Sequence, residues 1–255
     1  MPRGSNWTWE ETLVAFQLYC NTDFGKLHQH NPDIIALAAK LGRTPSAVGM
    51  KACNFASLDP VQRARGIKGL ANRGQFEQLV WERFQADSES IPAEAVEAYE
   101  RLTAAPAPTP SDSPTPPTGP TETETLVRVR RVQSFFRTTV LISYESRCAL
   151  TGLSVPALLN ASHIIPWSES PHRRADPRNG LCLNALHDRA FDRGLIPFDA
   201  DHRLLVSPKL AECGQPHDLT RLFTGYAGKQ LRVPARFAPD GDALAYHRER
   251  VFQNG

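Results

Sequence analysis

The sequence predicts an α+β protein: an N-terminal helical bundle joined by a proline-rich segment to a C-terminal unit built on two strands and a helix. Three observations carry that expectation. Residues 1–102 repeat helix start signals ahead of apolar residues at helical spacing. Residues 103–125 hold seven prolines among Thr, Ser, Ala and Glu, with no large apolar side chain. Residues 126–255 open on a basic helix with an apolar stripe, continue through two short apolar runs separated by an Asn-Gly pair, and return to a helical pattern. A chain of 255 residues, 41% hydrophobic, can supply a core to each of two domains.

In the first domain, Thr8-Trp9-Glu10-Glu11 is a capping box, with a hydroxyl ready for the third helical amide and a glutamate placed to return the bond. Trp9, Leu13, Phe16 and Cys20 then recur at helical spacing, which predicts a first helix ending near Cys20. Asn31-Pro32 opens a second, with Ile34, Ile35, Leu37, Ala38 and Leu41 on its apolar face and Gly42 as its stop. Thr44-Pro45 repeats the start signal, and Val48, Ala52 and Phe55 form the buried stripe of a third helix. Two helices joined by Gly42-Arg43-Thr44 make a helix-turn-helix pattern whose second helix is expected to expose Ser46, Lys51 and Asn54. Arg43, Lys51, Arg63, Arg65, Lys68 and Arg73 face one acid, Asp59, over that stretch, so Arg43 and Lys51 are candidate contacts to a nucleic acid backbone. The pattern loosely resembles tri-helical DNA-binding modules of the Myb and helix-turn-helix type. Helices over about 75–85 and 93–101 complete the domain.

The stretch 103–125 buries too little to fold, and its prolines favour an extended chain with a reach of about 70 Å at roughly 3.1 Å per residue. It marks a boundary between domains 1–102 and 126–255. The charge divides there as well. Lys and Arg number 11 against 12 acids in residues 1–102, but 18 against 12 in residues 126–255, the excess expected of a phosphate binder. Five cysteines at 20, 53, 148, 182 and 213 include no pair at two-residue spacing and read as reduced thiols of a cytoplasmic protein. No apolar run reaches the length of a signal-peptide core or a membrane span, so no membrane partner is expected.

The second domain begins with a helix over Leu126 to Tyr144, with Val129, Val132, Phe136, Val140 and Tyr144 on one side. Cys148-Ala149-Leu150-Thr151-Gly152 turns the chain. Leu158, Leu159, Ile164 and Ile165 flank His163 in a strand and bend, and Leu181, Leu183 and Leu186 line a second strand after Asn179-Gly180. A helix beginning near His187 completes strand, strand, helix. Further strands are expected over Leu195 to Phe198 and Arg203 to Val206, and Phe223, Tyr226, Leu231, Tyr246, Val251 and Phe252 close the domain.

Four motifs stand in order here: Cys-Ala-x-Thr-Gly from Cys148, Ala-Ser-His-Ile-x-Pro-Trp from Ala161, Asn-Gly-Leu-x-Leu from Asn179, and His-Asp-x-Ala-Phe-Asp-x-Gly-Leu from His187. Together, over about residues 133–252, they resemble the HNH endonucleases of the ββα-metal superfamily, in particular the branch found in bacterial restriction proteins, some of them modification-dependent. The resemblance implies a metal-dependent DNA endonuclease acting on double-stranded DNA and leaving 5′-phosphate and 3′-hydroxyl ends. It makes His163 the general base, Asn179 the residue that holds the loop aiming the His163 ring, and a residue on the following helix the metal ligand.

For that ligand the nine-residue spacing from Asn179 selects Asp188, whereas the motif letter selects His187. Asp192 lies one turn beyond Asp188 on the same face. Carboxylate oxygen suits Mg²⁺ or Mn²⁺, and imidazole would favour Zn²⁺ or Ni²⁺. Ser162 occupies a position where family members often carry another ligand, and serine is a poor substitute. Arg173, Arg174 and Arg178, between the strands, are candidate clamps on the cleaved strand. Two other readings stay open: a DNA-binding regulator with a silent nuclease centre, and an RNA or toxin nuclease. The layout is compatible with a homodimer.

Overall fold

Thr8 starts the first helix as expected. Its hydroxyl accepts from the Glu11 amide at 3.2 Å, and the Glu11 carboxylate accepts from the Thr8 amide at 2.8 Å. The computed structural model describes residues 6–67, 74–104, 122–213 and 216–253, and the chain divides into two units, Met1–Phe135 and Phe136–Gly255. The proline-rich stretch lies for the most part outside the described residues.

In the first unit the helices are α1 (Trp9–Cys20), α2 (Pro32–Lys40), α3 (Pro45–Ala56), α4 (Pro60–Ala64), α5 (Gln75–Ala86) and α6 (Ser90–Thr103). Asn31, Thr44 and Asp59 cap α2, α3 and α4, each ahead of a proline whose missing N–H costs nothing in the first turn. The short α4 is absent from the sequence expectation. Its cap, Asp59, also accepts from the buried Tyr19 hydroxyl at 3.1 Å. Phe16 is the centre of the core, with ring centroids 5.4 Å from Phe55 and 5.0 Å from Phe84.

Ser46 is exposed, but Lys51 and Asn54 are not, which corrects the expected exposed face of α3. The buried Glu77 of α5 sits over that face. Its carboxylate lies 2.8 Å from the Lys51 ammonium and accepts from the Asn54 amide at 3.0 Å. Arg43 likewise turns inward, donating to both Glu11 oxygens at 2.9 and 2.8 Å. Lys68 and Arg73 lie outside the described residues.

Helix α7 (Glu122–Ser143) starts four residues ahead of the expected Leu126 and supplies Phe136, Val140 and, just past its end, Tyr144 to the core of the second unit. Strand β1 (Leu159–His163) pairs antiparallel with β2 (Gly180–Asn184) in the register Leu159 to Asn184 and His163 to Gly180. Helix α8 (Ala185–Asp192) follows without a loop, because Asn184 ends the strand and caps the helix, its carbonyl oxygen accepting from the His187 amide at 3.0 Å. Leu159, Ile164, Leu181, Leu183, Phe191, Ile196 and Phe198 form the core under this ββα unit.

The expected strands near 195 and 203 are reduced to isolated bridges, Phe198 to Leu204 and Arg203 to Gln230. Pro197 has no N–H for a ladder, and the Asp199 carboxylate captures the Asp201 and Arg203 amides at 2.9 and 2.7 Å. Short helices α9 (Lys209–Cys213), α10 (Pro216–Leu222) and α11 (Gly241–Tyr246) follow, α11 running into a wider π turn over His247–Val251. Among the described residues no helix is long and apolar enough to cross a membrane.

Candidate active site

His163 is the last residue of β1 and faces Gly180 across the hairpin. A Cβ on Gly180 would stand 2.5 Å from Val140 Cγ2 and 2.9 Å from Phe136 Cζ, so only glycine lets α7 approach this closely. The Phe136 ring stacks on the His163 ring at 3.8 Å with planes 11° apart, and Trp167 presents its ring at 86° from 5.5 Å. His163 Nε2 lies 2.9 Å from the Arg174 carbonyl oxygen. A carbonyl only accepts, so Nε2 carries the proton and Nδ1 holds a lone pair. Nδ1 makes no hydrogen bond among the described residues. Burial lowers the pKa of the ring, outweighing the Arg174 carbonyl and the Asp188 charge, which both raise it.

Asn179, 1% exposed, fixes the loop that carries the Arg174 carbonyl. Its side-chain oxygen accepts from the Ile165 amide at 2.8 Å, and its Nδ2 donates to the carbonyls of Ile165 at 3.2 Å and Arg173 at 3.4 Å. Its own carbonyl accepts from the Ile164 amide at 2.9 Å. One buried amide thus joins the residues just after His163 to those just before the carbonyl that sets its tautomer.

Asp188, in the first turn of α8, reaches back to β1. Asn160 Nδ2 donates to one carboxylate oxygen at 2.6 Å, and the Ser162 hydroxyl donates to the other. Asp192 stands one turn on, its pKa pushed up to about 6 by partial burial of the carboxyl and by the Asp188 charge, against Arg189 and Arg193. Two carboxylates that repel each other beside a serine hydroxyl are hard oxygen donors, a set that fits a divalent cation. Among the described residues there is no group of three or more His, Cys, Asp and Glu that could hold one. A cation held here would have to draw its remaining donors from the hydroxyl, water or a bound phosphate's oxygens.

His187 points the other way. Its Nδ1 accepts from Asn184 Nδ2 at 2.8 Å, its Nε2 donates to the Leu222 carbonyl at 2.8 Å, and Phe223 and Tyr226 pack edge-on against its ring. It is 2% exposed with both nitrogens engaged.

Of the three arginines between the strands, Arg178 pairs with Asp176 at 2.9 and 3.0 Å, and Arg173 pairs with Asp240. Partial burial would raise the Asp240 pKa, but Arg173 holds it below the usual carboxylate range. Arg174 donates from Nε to the Trp167 carbonyl at 3.0 Å and lies 4.9 Å over the Trp167 ring. Sequence reasoning passed over Asn160 and treated Phe136 as core alone. Strand period two, which puts Asn160 on the face of Ser162, was the available signal for the first. Contact between α7 and the hairpin had no local signal.

A comparison with curated proteins finds no match. A family model described as HNH endonuclease matches residues 148–199, the span that runs from the Cys148 turn through β1, β2 and α8 and holds His163, Asn179 and Asp188. That segment of the chain is therefore similar to the HNH endonucleases.

Proposed function

We propose that the protein is a metal-dependent DNA endonuclease of restriction type, in which residues 1–102 read the duplex, 103–125 link, and 126–255 cut. The observation that carries the reading is the His163 ring: one nitrogen is fixed by the Arg174 carbonyl and the other is left as an acceptor within the field of Asp188. A base must be neutral to take a proton, and burial keeps this one neutral at ordinary pH.

In this reading His163 Nδ1 takes a proton from a water as that water's oxygen attacks the phosphorus. The leaving 3′ oxygen departs on the opposite side. Asn179 and the stack on Phe136 hold the ring still, which keeps the acceptor aimed without loss of entropy at the moment of reaction. Asp188 and Asp192, with Ser162, would hold a divalent ion, Mg²⁺ or Mn²⁺ by their oxygen chemistry. Such an ion supplies positive charge to the phosphate and the leaving oxygen. His187, its two nitrogens engaged in the core, stands outside this ligand set.

Arg174, whose carbonyl accepts from the base, lies beside it as a candidate contact to the cleaved strand, and Arg173 and Arg178 would have to leave Asp240 and Asp176 to make one. Arg43 and Lys51 are likewise held by Glu11 and Glu77, so recognition of the duplex falls to other residues of the first unit, such as the exposed Ser46.

The test is His163→Ala in the full chain, assayed for nicking of plasmid in Mg²⁺ and in Mn²⁺ and for binding of the same DNA in the metal-free state. Cleavage should fall by about 10²-fold or more, the usual contribution of a positioned base, with DNA affinity nearly unchanged. A variant that cuts at the parental rate removes His163 from the reaction. A parent chain that cuts RNA in preference to duplex DNA, or cuts neither, overturns the reading.

A further inference from the structure

Asn160 stands on the same face of β1 as Ser162, two residues away, and both side chains are turned onto one carboxylate of α8. We propose that Asn160 is a positioning residue of the metal centre: its amide keeps one oxygen of Asp188 engaged and so presents the other to the ion. This inference rests on the metal-centre reading above.

The chemistry of the two donors separates their roles. A hydroxyl carries lone pairs as well as a proton, so Ser162 can turn its proton aside and share its oxygen with a cation. An amide NH₂ has no lone pair to offer, and the carboxylate accepts only, so the atom within 2.6 Å of Asp188 must be Nδ2 and cannot itself be a ligand. When the Ser162 bond rearranges, the Asn160 bond has no reason to. Asp188 is then held as a one-oxygen donor at a fixed angle, rather than free to swing about its side-chain torsions.

The Asn160 side chain makes no other hydrogen bond among the described residues, and it is half-buried rather than part of the core. Its one polar contact is with the helical carboxylate. Residues that orient a ligand in this way typically contribute about 10- to 100-fold to metal affinity. With two carboxylates and a serine as its donors among the described residues, the present centre has few other means of fixing its geometry.

The experiment uses the full chain with Asn160→Ala, which deletes the donor, and Asn160→Leu, which deletes it while filling the space. Mn²⁺ binding is measured by calorimetry without DNA, and the melting temperature is measured without metal. Both variants should bind Mn²⁺ about 10- to 100-fold more weakly than the parent. Their turnover should be deficient at low Mn²⁺ and should recover as Mn²⁺ is raised, a rescue that a merely structural defect would not show. If either variant melts as the parent does and binds Mn²⁺ within about two-fold of it, Asn160 does not position the centre. If the parent itself binds no Mn²⁺, the metal-centre reading fails, and this inference fails with it.

Discussion

His187 and Asp188 are neighbours on α8, yet a helix turns about 100° per residue, so one side chain enters the core while the other meets β1. From the sequence alone both satisfied the motif, one by letter and the other by its distance from Asn179. What separates them is the carbonyl of Leu222, 35 residues away, which accepts the hydrogen bond from His187 Nε2. Contact at that range leaves no periodic trace in the chain. Asp188→Ala should abolish cleavage and change stability little. His187→Ala should leave cleavage largely intact in the cold but lower stability by about 1–3 kcal/mol, the cost of stranding buried partners. Urea midpoints and nicking rates measured on both variants check this, and the opposite ordering would move the ligand back one residue.

Elements follow the same division between local and distant causes. Helices α1, α2 and α3 were legible because each starts on a cap that acts within four residues, and Thr8, Asn31 and Thr44 all make the bonds their positions imply. The burial of Lys51 was not legible, since it depends on Glu77 arriving from another helix. The hairpin shows both causes at once. Asn179-Gly180 announces a turn, but the glycine is demanded by α7, whose Val140 and Phe136 occupy the space of a side chain. Gly180→Ala should therefore destabilise the domain by about 1–3 kcal/mol through overpacking. Because Phe136 must move to relieve the contact, the variant should also lose cleavage beyond what its unfolded fraction explains, at a temperature where circular dichroism shows it folded. A Gly180→Ala protein with parental stability and rate would mean that α7 does not hold the His163 ring.

At the scale of the whole molecule, each unit has its own core, so a response to pH can be assigned to one of them. In the first, burial would raise the pKa of Glu11, but Arg43 holds it below normal, so the stability it contributes is present above the ordinary glutamate range and is lost as pH falls through that depressed value. In the second, burial pushes the His247 pKa down to about 4, its ring stacked 3.7 Å from Phe191 and its Nε2 donating to the Phe191 carbonyl at 3.0 Å. The unfolded chain protonates this histidine near pH 6.5 and the folded chain does not, so the unfolded state binds more protons between those values. The stability tied to neutral His247 is fully present above about pH 6.5 and is lost as pH falls toward 4, by at most about 3 kcal/mol. Asp192 acts in the opposite sense, since a carboxyl raised to about 6 gains a proton first in the folded state, but its exposure to solvent screens the effect. Comparing the parent with His247→Gln cancels that contribution, because both proteins carry Asp192. Glutamine keeps a donor for the Phe191 carbonyl without a titrating group. Urea unfolding of residues 159–192, followed by pulsed hydrogen exchange at pH 7, 5.5 and 4.5, should show the parent losing more stability than the variant over that interval. Parallel pH profiles would mean that His247 titrates alike in the folded and unfolded chain, and that its stacking on Phe191 does not exclude the charged form.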